Sequence, residues 1–267
     1  MNIKDLIQEG KLSDARSQLV AAVKSSPGDQ SSRTLLFQVL AYLGEWDKAR
    51  RHLEIIAAQD ATRQAGVQVY LNLIQAEIER IQVTQNQRQP DFLPESPAYI
   101  EQYKTACQKL DNQQFQDAET IFQEIHTQRP PVSGTLNGKD FNGFRDTDTR
   151  LSCFLEVFVH ERYVWLPFEF LRELCVPRPK TFLDLLWTSA QITTRDGLTL
   201  NCFLPVLYPE SFRHEDDRLK RGRMTHWMDL GQGFYQGVGQ HVFQVGEKEI
   251  GILEIEEAVF KPNHQSE

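Results

Sequence analysis

The run Asp146–Phe168, DTDTRLSCFLEVFVHERYVWLPF, decides how the chain is to be read. Leu151–Val159 and Tyr163–Leu166 are rich in β-branched and aromatic residues, with the short polar His160-Glu161-Arg162 between them. Two such runs across a short polar break predict an antiparallel hairpin, although no Asn-Gly or Asp-Gly marks its turn. The N-terminal half has a different pattern, helical and repetitive. The expected class is therefore α+β: a tetratricopeptide-like helical arm over residues 1–128, then a compact, mostly antiparallel β domain over residues 132–262.

The arm is legible through an internal echo. Gly10-Lys-Leu-Ser-Asp-Ala15 aligns with Gly44-Glu-Trp-Asp-Lys-Ala49 at a spacing of 34 residues, and Gln113-Gln-Phe-Gln-Asp-Ala118 is a third copy about two periods further on. Each alanine is followed four residues later by Leu19, Leu53 or Phe122. A helix–turn–helix unit of this period resembles the tetratricopeptide repeat. The small alanine lets two helices approach, and the larger Leu12, Trp46 or Phe115 covers the end of the pair. Residues 63–82 predict a further helix, with Val67, Tyr70, Leu71, Ile74, Ile78 and Ile81 on one face. The segment Gln85–Pro97 interrupts the array, so a short degenerate stack is expected. Stacked helix pairs leave a concave face that accepts a peptide or helix. Thr34, Gln38 and Tyr42 line that face in the second repeat and are the candidate partner-binding residues, with Tyr42 as aromatic anchor.

Arg129–Gly143, with two prolines and three glycines, ends the helical pattern and predicts a boundary or linker. Beyond it, Phe168–Leu174 predicts a short helix, and Leu185–Thr194 with Leu198–Leu207 a hairpin turning at Asp196-Gly197. Val242–Val245 and Glu249–Phe260 predict a third hairpin, and His214–Arg223 a charged loop or brief helix. Phe154, Val157, Trp165, Trp187 and Leu204 are the expected β core.

Composition excludes several classes. The formal net charge is −8, and acid exceeds base in both halves, so neither half reads as a binder of nucleic acid or anionic membrane. No run approaches the 18 or so apolar residues of a membrane span, and the charged start MNIKDLIQEG is unlike a signal peptide. Four cysteines without a CxxC pair read as small buried residues in the reducing cytoplasm.

Chemistry-bearing residues are present without a catalytic arrangement. Asp140, Asp146, Asp148 and Glu156 offer the alternative of a small hydrolase or metal-dependent enzyme, but carboxylates before a strand usually serve as turn and capping groups. His160, His214, His226 and His241 lack metal-ligand spacing. Gly231–Gly239 has neither the lysine of a P-loop nor GxGxxG spacing and reads as a flexible loop. No GxSxG is present. The expectation is no enzyme, no cofactor and no metal.

DTDTRL (146–151), LEVFVHERYVWLPF (155–168), DLLW (184–187), LPVLYPES (204–211) and RGRMTHW (221–227) together resemble the ImpE family, also called SciE-type or TagJ, accessory proteins of bacterial type VI secretion. The chain departs from the family at His160-Glu161, where a small turn residue is commoner, and at Lys220-Arg221, where an apolar one is. The resemblance implies a non-enzymatic adaptor that binds the smaller subunit of the contractile sheath, with a link to the ClpV-type ATPase. It carries over no catalytic residues. Recognition of a sheath-subunit helix would suit the helical groove.

Overall fold

The computed structural model describes residues 2–262. Its helical part follows the 34-residue period. Helices α1 (Ile3–Glu9) and α2 (Leu12–Ser25) form one pair, and α3 (Gln30–Tyr42) and α4 (Trp46–Gln59) the next; the long α5 (Gln64–Thr84) packs on α4 and on the sheet. After a short strand, β1 (Asp91–Phe92), α6 (Ile100–Asp111) and α7 (Phe115–Gln128) close the array. Ala15, Ala49 and Ala118 are fully buried, as close helix approach requires.

The turns between paired helices explain the echo. Gly10 and Gly44 take φ of +87° and +68°, and Gln113 takes the same left-handed conformation at φ +58°. A glycine enters it without steric penalty, whereas another residue gives up roughly 1 kcal/mol. Gly44 carries a second constraint, because a Cβ there would lie 2.3 Å from the Phe212 ring. Gln113 is exposed. Gly44→Ala is expected to lower stability by about 2 kcal/mol or more, and Gln113→Gly to raise it by up to about 1 kcal/mol. Urea midpoints of the two variants check this; shifts of the same sign would contradict it.

The β part begins with β2 (Ser133–Leu136) and β3 (Lys139–Asn142), then β4 (Phe144–Asp146). The opening hairpin follows as β5 (Phe154–Val159) and β6 (Arg162–Pro167), paired antiparallel from Phe154↔Pro167 to Val159↔Arg162. Its turn is thus the two residues His160-Glu161, with His160 at φ +55°. Next come β7 (Leu171–Cys175), β8 (Trp187–Thr194) and β9 (Thr199–Pro205), then α8 (Asp217–Lys220). The chain ends with β10 (Thr225–Gly231), β11 (Phe234–Gly239), β12 (Val242–Val245), β13 (Lys248–Gly251) and β14 (Glu257–Phe260). Among the described residues, nine strands form one sheet, in the order β1-β6-β5-β9-β8-β7-β14-β2-β3, beside the small sheets β13-β12-β4 and β10-β11. All pairings are antiparallel except β1 with β6.

Four local expectations are corrected. Arg129–Gly143 is no simple linker: Asn137-Gly138, both at positive φ, turns the β2–β3 hairpin. Phe168–Leu174 is a single 3₁₀ turn, Phe168–Phe170, followed by β7, because Leu171 and Leu174 are needed under the sheet. Glu249–Phe260 is two strands, separated by a 3₁₀ turn at Ile252–Glu254 and delivered to different sheets. Gly231–Gly239 is part of the β10–β11 ribbon, whose glycines admit close neighbours: at Gly237 a Cβ would meet the Tyr208 ring at 2.2 Å.

The change from helix to strand falls between Gln128 and Ser133, but the packing does not divide there. One hydrophobic cluster runs from Leu6 and Leu19 in the first repeat to Trp187, Phe243 and Phe260 in the sheets. Phe154, Val157, Trp187 and Leu204 are buried, whereas Trp165 is half-buried and stacks on Phe154 at 4.7 Å. Strand β1, lying among the helices in sequence, extends the large sheet by pairing with β6. Arg129 at the end of α7 pairs with Glu169 at 2.5 Å, and Tyr99 before α6 donates to the same carboxylate at 2.7 Å. The arm is fastened to the sheet at several points.

Candidate functional site

Thr34, Gln38 and Tyr42 stand four residues apart on α3 and so share one stripe of its surface. Tyr42 closes one end of the stripe, and the Thr34 hydroxyl at the other end is itself buried without a hydrogen-bond partner among the described residues. Thr34 and Gln38 are half-buried, whereas Tyr42 is 1% exposed. Its ring stacks on Phe182 at 4.3 Å, and its hydroxyl donates to the Phe182 carbonyl at 2.6 Å. The expectation that Tyr42 anchors an external partner is therefore corrected: the chain's own β part occupies that end of the face. The physical reason lies at the start of α4, where Trp46 packs against Trp187 and Phe212 and draws the two parts together. A buried aromatic with a satisfied hydroxyl is a packing residue.

Below this face lies a buried polar seam that the sequence did not announce. Arg80 on α5 is 2% exposed and reaches into the β part. Its Nε donates to Glu156 at 2.8 Å and its Nη2 to the same carboxylate at 2.5 Å, a two-pronged grip, while Nη2 also reaches the Leu207 carbonyl at 2.7 Å. Glu77, one turn earlier, accepts from the Trp187 indole at 2.9 Å. Glu79 accepts from the backbone N–H of Tyr163 at 3.2 Å.

His241 completes the seam. Its Nδ1 lies 2.9 Å from Asp146 and its Nε2 2.8 Å from Glu156, with Arg80 Nη2 at 3.3 Å. Arginine has no acceptor atom, so the shorter contact decides the assignment: both ring nitrogens carry protons and donate to carboxylates. Burial opposes this charge, but Asp146 and Glu156 outweigh it and raise the His241 pKa to about 9. Burial likewise opposes ionisation of Glu156, yet Arg80 and then His241 hold its pKa down at about 2. Asp148 is the opposite case. Burial first and the charge of Asp146 second push it up to about 7, against the backbone N–H groups of Gly237 and Arg150 that it accepts. Tyr208 donates to Asp146 at 2.7 Å, and Tyr163 donates to Glu156.

The structure thus gathers three of the four candidate carboxylates, Asp146, Asp148 and Glu156, and leaves Asp140 exposed on Lys261. Asp146 and Asp148 serve the turn as expected, each accepting a backbone N–H two residues on. They and Glu156 are also committed to Arg80, His241, Tyr208 and backbone donors. The space where a metal or a substrate would meet Glu156 and His241 holds the Arg80 guanidinium. His160, His214 and His226 take no part. Arg80, Glu77 and His241 were missed as a unit; the signal in the sequence was the three charges Glu77, Glu79 and Arg80 beside the apolar stripe of α5.

Residues 138–259 match the family model described as ImpE protein, and residues 6–70 match a tetratricopeptide repeat model. The type VI secretion system accessory component TagJ of Pseudomonas aeruginosa is 32% identical over 262 residues, which span 98% of this chain and 92% of that protein. The chain belongs to the ImpE family. A crystal structure of protein VPA1032 from Vibrio parahaemolyticus superposes over the full length of both chains with a TM-score of 0.89 at 21% identity, showing the same fold. Asp146, Glu156 and His241 lie inside the ImpE match, whereas Glu77 and Arg80 lie in neither matched region. The seam is therefore a joint between the ImpE part and the stretch of α5 that lies beyond the repeat match. Among the described residues, no helix is long and apolar enough to cross a membrane.

Proposed function

We propose that the chain is a non-enzymatic accessory component of a bacterial type VI secretion system, acting in the cytoplasm as an adaptor for the smaller contractile-sheath subunit. The observation that carries this reading is the likeness to TagJ along nearly the whole of both chains. The repeats support it, because stacked helix pairs present a ready surface for a partner helix. Engagement of the carboxylates within the seam favours a scaffold over the hydrolase alternative. A link to the ClpV-type ATPase follows from the same family resemblance. Within the helical face, Thr34 and Gln38 are the contact candidates, and Tyr42 supports them from beneath.

The test is a titration of the purified full chain with the smaller sheath subunit of the same organism. Binding is expected without added metal or nucleotide. Thr34→Arg with Gln38→Arg should weaken it at least tenfold, and Tyr42→Phe should leave it unchanged. Absence of binding by the folded wild type overturns the adaptor reading. Unchanged binding by the Thr34/Gln38 variant moves the contact off this face.

A further inference from the structure

Arg221 stands apart from the other buried arginines. Arg80 meets Glu156 and a carbonyl, and Arg33, although its Nε is also without a partner, donates to the Pro27 carbonyl at 2.7 Å, whereas the Arg221 side chain makes no hydrogen bond among the described residues. Arg221 is 7% exposed, yet among the described residues it forms no ion pair, and its buried Nε has no hydrogen-bond partner. Asp217, the acid whose charge reaches it, is held by Lys220 at 2.9 Å. The neighbouring cation makes matters worse. Burial first, and then the charge of Arg223, lower the Arg221 pKa. Arg223 is exposed, and among the described residues its side chain has no carboxylate partner and bonds the Gln8 carbonyl at 3.5 Å.

The position of this pair points to its use. Arg221 lies against the turn between α1 and α2, where a Cβ on Gly10 would come within 2.7 Å of Nη1. The carbonyl end of α1 eases a nearby positive charge, but only as a fraction of a unit charge and without satisfying Nε. Tyr42, at the closed end of the helical stripe, is within reach of the Arg221 charge. A desolvated cation beside a second one is costly until an anion joins them, and a guanidinium fork matches a carboxylate in two parallel hydrogen bonds.

We propose that Arg221, with Arg223 beside it, anchors an acidic side chain of a protein partner lying along the helical face. The proposal leans on the adaptor reading only in giving the anion to a protein. Its test needs no sheath subunit, so the two can fail separately. The probe is N-acetyl-hexaglutamate, titrated calorimetrically into the full chain at low ionic strength, with inorganic sulfate as a second arm. The peptide is expected to bind the wild type and to bind R221Q/R223Q at least tenfold more weakly, with R221K between them because it keeps the charge and loses the fork. R221M is expected to melt no lower than the wild type, since it removes an unpaired buried charge. Equal peptide binding by wild type and R221Q/R223Q, or none by either, overturns the proposal. Sulfate binding as well as the peptide does so too, by making the site one for small anions. A lowered melting temperature of R221M with peptide binding intact assigns Arg221 to the end of α1 instead.

Discussion

Replacing Arg80 by methionine is expected to destabilise the folded chain by about 3–5 kcal/mol, the usual consequence of removing one member of a buried ion pair. The loss does not come from the arginine's own contacts alone. Glu156 would be left buried with only Tyr163 and His241 as donors, and the Leu207 carbonyl would lose its side-chain donor. An unsatisfied buried charge costs more than the net gain from a satisfied one. Urea denaturation followed by fluorescence reads the effect, because Trp187 lies beside Glu77 on the same helix face. The double variant Arg80→Met with Glu156→Met should recover a large part of the loss, since apolar replacement of both partners removes the orphaned charge. A single variant that loses less than about 1 kcal/mol would mean that water replaces the guanidinium and that the seam does not hold the arm.

Stability is expected to fall as pH rises from about 6.5 to about 9. His241 has a folded-state pKa of about 9 against an ordinary 6.5, so the folded chain holds this proton more tightly than the unfolded chain. Its contribution is complete below about pH 6.5 and is lost as pH passes through about 9. The difference corresponds to about 3 kcal/mol. Asp148 acts in the same direction at lower pH. With its pKa raised from 3.8 to about 7, the folded state loses ground across that interval as the carboxyl is forced to ionise. Glu156 bounds the acid side: its pKa, lowered from 4.5 to about 2, gives a contribution present above 4.5 and lost as pH falls through 2. Denaturation midpoints across this range, for the wild type and for His241→Gln, check the assignment. The variant should lose the slope between pH 7 and 9. A wild-type profile flat in that interval, or an unchanged slope in the variant, would mean that His241 is neutral in the folded chain.

Some of this molecule was legible because it rests on local rules. The left-handed turns at Gly10 and Gly44 and the small buried alanines repeat in sequence because each repeat solves the same packing problem. The β5–β6 and β8–β9 hairpins were legible from paired apolar runs. The misses share a cause as well. Gly231–Gly239 and Arg129–Gly143 are rich in glycine, which reads as loop, yet in β11 the small residue makes room for the Tyr208 ring. Asn137-Gly138 was a hairpin signal hidden among prolines.

Taken alone, the sequence determined the helical period, the change to strands after residue 128 and the resemblance to the ImpE family. Tertiary structure alone decided which charges are inside. On α5, the apolar stripe of Val67, Ile74 and Ile78 is legible in the sequence, whereas nothing there marks the charges Glu77, Glu79 and Arg80 as buried. The helix instead lies between the repeats and the sheet, so both of its sides are covered and those three residues are buried. Tyr42 was misjudged for the same reason, since Phe182 arrives from 140 residues away to close the face on which it stands. A helical period tells which residues share a side; only the partner element determines whether that side meets water.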